Sequence, residues 1–177
     1  MPSTRGTILL LAAFTAFIAL ALPLDRDTDV WQQSALGLTA WAFLAVALWL
    51  QPRELRIQVG VLVVVATILE VVGSIVWGAY RYRLDNLPLY VPAGHGLFYL
   101  SALRAAALPI VRRNERTIIV AVTLGATAYM IRNLAAPPLP DLLGFVTWAI
   151  FLRFIFRGTA PTLYAISFVM TSALELY

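Results

Sequence analysis

The chain encodes an all-α, polytopic transmembrane helix bundle, and three observations predict this. The 177 residues are 61% hydrophobic and 12% charged, with a mean hydropathy of +0.83. That balance leaves more apolar surface than a soluble domain of this size can bury. Seven apolar runs (7–24, 34–50, 57–80, 96–111, 117–131, 141–156 and 160–177) are separated by prolines, glycines and charges of loop character. All 13 basic residues are arginine, and most lie in those separators. Such clustering flanks membrane segments and does not make a nucleic-acid-binding face. The lipid bilayer is therefore the expected partner, and nucleic acid is not.

The runs are taken in order. Run 7–24 follows Arg5 and ends in a small-x-small pattern, Ala19-Leu20-Ala21, which also fits a cleavable secretory signal. The repeat described below argues for a retained span. With the N-terminus inside, Arg5, Arg53, Arg56, Arg112, Arg113, Arg116, Arg153 and Arg157 fall on the cytoplasmic side, against Arg26, Arg81, Arg83 and Arg132 outside. This bias predicts a multi-pass protein of the cell's plasma (inner) membrane with its N-terminus in the cytoplasm. Runs shorter than a span are lengthened by arginines that snorkel to the headgroups.

Run 57–80 is long enough to cross, since about 20 residues cover the hydrocarbon core. Glu70 sits within it and Arg104 within run 96–111. Ionisable groups at such depth are costly and tend to mark sites. Counting helix rise from Tyr80 places Glu70 ~15 Å below the outer boundary, and counting from Gly96 places Arg104 ~12 Å below it, so the two can meet. The connection RYRLDNLPLYVPAGHG, residues 81–96, holds the lone histidine, His95. His95 and Arg104 are nine residues apart, on opposite faces of a regular helix, so both reach Glu70 only if His95 lies in the loop. Gly94 and Gly96 are expected to break the helix there.

An internal repeat divides the chain. Residues 6–17 align with 116–127. Residues 34–50 align with 141–157, pairing Gly37 and Trp41-Ala42 with Gly144 and Trp148-Ala149. Residues 67–72 align with 172–177, pairing Glu70 with Glu175. The offsets drift from 110 to 107 to 105, as differing loop lengths produce. Two parallel four-helix repeats are expected, 1–111 and 112–177, with seven transmembrane helices present and the eighth missing, as in a fragment or early truncation.

On a helix, Glu70 shares its face with Val63, Ala66, Thr67, Gly73, Ser74, Trp77 and Gly78. Small and hydroxyl residues there allow close helix approach, so Glu70 should face the bundle and not lipid. Tyr80, Arg81, Tyr82 and Arg83, with Tyr90, form a basic aromatic rim suited to an anionic headgroup or carboxylate. Glu70, Arg104 and His95 are the candidate catalytic residues; Ser74, Trp77, Tyr80, Arg81, Tyr82, Arg83 and Glu175 are candidate substrate-binding residues. Without cysteine and with one histidine, neither a transition-metal site nor a bound cofactor is expected. Plainer roles are a structural Glu70–Arg104 pair, an interfacial His95 and an aromatic belt of tryptophans.

The stretch EVVGSIVWGAYRYRLDNLPLYVPAGHG, from Glu70 to Gly96, resembles the carotenoid-biosynthesis membrane proteins that include carotenoid hydratases. The matching residues are Glu70, Gly73, Gly78, Tyr80, Tyr82, Pro88 and Pro92; His95 departs from the aromatic expected near the end. The resemblance implies proton-assisted chemistry on an isoprenoid alkene with Glu70 as acid. Two other functions fit the residues alone. One is a transporter or channel with Glu70 and Glu175 lining a pseudo-symmetric path. The other is an accessory subunit, in a homo-oligomer or beside a membrane partner.

Overall fold

The computed structural model describes residues 4–135 and 142–175. Among them are eight α-helices: α1 Thr4–Asp25, α2 Val30–Trp49, α3 Arg53–Val71, α4 Tyr90–Ala106, α5 Pro109–Arg113, α6 Glu115–Leu134, α7 Leu142–Arg157 and α8 Pro161–Glu175. A π-helical turn, Val72–Val76, extends α3. Every apolar run carries a helix. Three helices are long and apolar enough to cross a membrane: α1, α3 with its π turn, and α6; α8 is a shorter apolar helix. Run 96–111 is divided, because Pro109 lacks an N–H and holds Leu108 extended (ψ 138°), which ends α4 and starts α5. The chain forms two compact units, Met1–Ser101 and Ala102–Tyr177.

In the first unit, Asp29 caps α2 through a reciprocal pair of bonds with Gln32, 2.8 and 3.0 Å. This satisfies donors that the helix leaves open. Gln33, Gly37, Ala40, Leu44 and Ala47 form the buried stripe of α2 at three- and four-residue spacing. On α3 the buried stripe is Val59 and Val63, while Val61, Val64, Val65, Ile68 and Leu69 are exposed. Gly96 of α4 lies where α2 and α3 meet it: a Cβ there would stand 2.9 Å from both Leu44 Cδ2 and Val63 Cγ2. The glycine serves as a close-approach point within α4, whose helix runs through both Gly94 and Gly96. Pro92 is accommodated because a helix's first turn needs no N–H donors.

In the second unit, α6, α7 and α8 pack on one another. Trp148 Nε1 donates to Thr127 Oγ1 at 3.1 Å, the Phe151 and Phe168 rings lie 4.6 Å apart, and the Thr162 hydroxyl donates to Glu115.

Candidate functional site

Glu70 continues the buried stripe of α3, with its side chain only 16% exposed. Its inward turn follows from position, eleven residues after Val59 and seven after Val63, three and two helical turns on. Ser74, on the same stripe, is buried, and its hydroxyl donates to the Glu70 backbone carbonyl at 2.7 Å. That hydroxyl is taken up by the backbone and does not touch the carboxyl.

Beyond Glu70 the backbone leaves α geometry. The π turn is closed by the Trp77 N–H donating to Val72 O at 2.8 Å, and Gly78 then adopts φ +62°. Glycine alone enters that region without strain. The chain reverses there, and the Ala79 N–H donates to Gly73 O at 2.9 Å. Tyr80 therefore does not sit a helical ~15 Å away. Its hydroxyl donates to Glu70 Oε1 at 2.5 Å, and the Tyr82 hydroxyl donates to the same oxygen. Their rings meet edge to face, centroids 5.9 Å apart. Helix rise from Val76, the last π residue, puts Glu70 only ~9 Å from the helix end. The wider turn also carries Trp77 off the buried stripe, leaving it 78% exposed.

His95 is helical, in α4, where a loop position was expected. Its Nδ1 lies 2.9 Å from Val91 O. A carbonyl only accepts, so this bond assigns the proton to Nδ1 and leaves Nε2 as the basic nitrogen. Nε2 stands 4.0 Å from Glu70 Oε2, within ion-pair reach and outside hydrogen-bond length. Thus Oε1 holds two phenols while Oε2 faces an imidazole. Arg104, nine residues on and half a turn out of phase along α4, falls in the second unit and is half-buried. Within its own unit, the ionisable residue brought to Glu70 by α4 is His95.

Desolvation, reinforced by the hydrogen bond to Glu70, pushes the Tyr80 hydroxyl up to about 12. The same two causes, in that order, raise Tyr82 further. Both phenols therefore stay protonated donors through the ordinary pH range.

The segment after Tyr82 packs along the α1–α2 turn: Arg83 and Tyr90, expected at a substrate rim, bond there instead to Thr28 and Asp25, beside Gln33 and Asn86, which sequence reasoning did not single out. The Arg83 guanidinium donates to the Thr28 carbonyl and, at 3.1 Å, to its hydroxyl. Asp25 accepts from Thr28 (3.1 Å), Gln33 (3.0 Å) and Tyr90 (2.9 Å). Asn86 donates to Gln33 Oε1 at 2.9 Å. Gln33, polar yet in register with Gly37 and Ala40, was the available signal. Arg81 is exposed. Glu175 ends α8, and its side chain lies outside the described residues. No group of three or more His, Cys, Asp or Glu residues that could hold a metal ion occurs among the described residues.

Fold and site together define an all-helical chain with three helices fit to cross a membrane and a carboxylate gathered under two tyrosines beside a histidine. No family model, no curated protein and no solved structure matches this chain.

Proposed function

We propose that the chain is a multi-pass plasma-membrane protein, N-terminus cytoplasmic, whose Glu70 site binds a lipid or isoprenoid alkene and acts on it by proton transfer. The observation that carries the proposal is the two-sided environment of one carboxyl. Oε1 accepts from Tyr80 and Tyr82, and Oε2 faces the basic nitrogen of His95. The phenols stabilise the carboxylate left after a proton departs; the imidazole stands where that proton can be received or returned. The resemblance of residues 70–96 to carotenoid-biosynthesis membrane proteins points the same way.

The step balances without a cofactor. A proton on Oε2 adds to one alkene carbon, and the π electrons form the new C–H bond. The neighbouring carbon becomes a tertiary cation and takes the oxygen of water. That oxygen gives up a proton to the Glu70 carboxylate, for a net addition of water. The exposed indole of Trp77 and the rim of Tyr80 and Arg81 would guide an amphiphile entering from the bilayer.

Glu70→Gln is the test. Glutamine keeps a carbonyl acceptor for the tyrosines and cannot donate an acidic proton. The variant should elute like the parent, melt somewhat lower because two charge-assisted bonds become neutral ones, retain the lipid that copurifies with it, and lose at least ~10²-fold in turnover of that lipid. Turnover equal to the parent's would overturn the proposal.

A further inference from the structure

The second unit carries its charge at one end. Arg112 and Arg113 close α5, Arg116 lies in the first turn of α6, and Arg153 and Arg157 lie in the last two turns of α7. Contacts hold these helix ends together. The Thr162 hydroxyl, in the first turn of α8, donates to Glu115, the first residue of α6. Just past α7 the Gly158 N–H donates to Phe154 O at 2.8 Å, and the Tyr164 ring of α8 lies 5.3 Å from the Phe154 ring. That turn has no room for a side chain: a Cβ on Gly158 would stand 2.5 Å from Phe154 O and closer still to Tyr164 Cε2. Asn114 alone separates α5 from α6.

All five arginines are exposed. None makes a hydrogen bond or an ion pair among the described residues. The one acid described at this end, Glu115, is engaged by Thr162. At the far end of α6 stands a single arginine, Arg132, over the Tyr129 ring at 5.2 Å. Five like charges gathered without partners draw a counter-charge from outside the chain. Because α6 is long and apolar enough to cross a membrane, its first turn falls at headgroup depth. Ile110, Phe154 and Phe156, near neighbours of these arginines in the chain, are exposed as well.

We infer that this end of the second unit is a binding surface for anionic phospholipid, with guanidiniums of α5, α6 and α7 on the headgroup phosphates and the exposed apolar side chains against the acyl chains. A guanidinium meets two phosphate oxygens at once through its fork of donors. A zwitterionic headgroup offsets its phosphate with its own cation, so a net negative headgroup is selected. A soluble phosphate or an acidic peptide would match the charge and leave Ile110, Phe154 and Phe156 without apolar partners. The inference rests on α6 crossing a bilayer and is independent of the chemistry at Glu70.

The full chain in detergent micelles is mixed with equimolar phosphatidylglycerol and phosphatidylcholine of identical acyl chains, and the lipids it retains are counted by native mass spectrometry. The parent should retain phosphatidylglycerol in preference. Arg153→Gln combined with Arg157→Gln should lower that preference about tenfold or more, since each arginine near an anionic lipid surface strengthens binding roughly fivefold. Arg112→Gln combined with Arg113→Gln should do the same, and serves where the first pair is not recovered folded. Arg132→Gln should leave the preference unchanged. Equal retention of the two lipids by the parent overturns the inference, as does a preference that survives both double variants or falls equally with Arg132→Gln. Displacement of the lipid by inorganic phosphate or a polyglutamate peptide, and not by chloride of equal ionic strength, assigns the arginines to a soluble anion or an acidic protein and overturns it too.

Discussion

Three glycines of the first unit give a graded test of how its parts are seated. At Gly37 an added Cβ would lie 2.4 Å from Leu89 Cβ and 3.1 Å from both Leu89 C and Tyr90 N. Two of the three obstacles are backbone, so relief requires moving the segment that carries Asn86 and Tyr90 off α2. Overpacking of that kind costs about 1–3 kcal/mol, and Gly37→Ala is placed toward the upper end. At Gly96 the obstacles are the terminal methyls of Leu44 and Val63, at 2.9 to 3.0 Å. Those can rotate aside, so Gly96→Ala should cost ~1 kcal/mol. Gly60 has nothing within 4 Å and lies inside α3, where alanine is favoured by roughly 0.5–1 kcal/mol. Unfolding titrations of the purified variants in micelles should rank Gly60→Ala at or above the parent, then Gly96→Ala, then Gly37→Ala. Equal stability of Gly37→Ala and Gly60→Ala would refute the seating of the 87–90 segment on α2.

Further outcomes follow from the site. Gly78→Ala puts a side chain at φ +62°, which should cost ~1 kcal/mol and weaken the return of Tyr80 and Tyr82, seen as a phenolate titration shifted toward its ordinary value. Tyr82→Phe removes a donor to a carboxylate and should cost about 1.5–3 kcal/mol of stability, whereas Tyr80→Phe, at a more exposed position, should cost less. The Tyr80 hydroxyl is raised to about 12 in the folded chain, from 10.0. Its contribution to stability is therefore complete below pH 10 and declines as pH rises to about 12, because the unfolded chain releases that proton first. An unfolding midpoint that rises across that interval would contradict the assignment.

The helices and the inward turn of Glu70 were legible in the sequence because they depend on periodicity. Val59, Val63 and Glu70 recur at helical spacing, and the exposed Val61, Val64, Val65 and Ile68 fill the opposite face. The approach of Tyr80 was not legible, because it depends on a backbone departure. The helix ends in a π turn at Val76, and one positive φ at Gly78 sends the next residues back along it, where a regular helix would have carried Tyr80 away. Gly94 and Gly96 pointed toward a loop because glycine lowers intrinsic helix propensity. Packing against Leu44 and Val63 overrides that cost, so His95 arrives on a helix. The Asp25–Gln33–Asn86–Tyr90 network joins residues up to 65 positions apart, a separation that local pattern does not encode.

Deuterium reads the proposed proton transfer from Glu70 to carbon directly. The chain is placed in vesicles with an acyclic isoprenoid alkene in deuterium oxide, and carbon-bound deuterium in the recovered lipid is measured by mass spectrometry. The parent should introduce one deuterium per alkene consumed, and folded Glu70→Gln should introduce none. Labelling by Glu70→Gln at the parent's rate, or none by the folded parent with the alkene in the same bilayer, would rule out Glu70 as the proton donor.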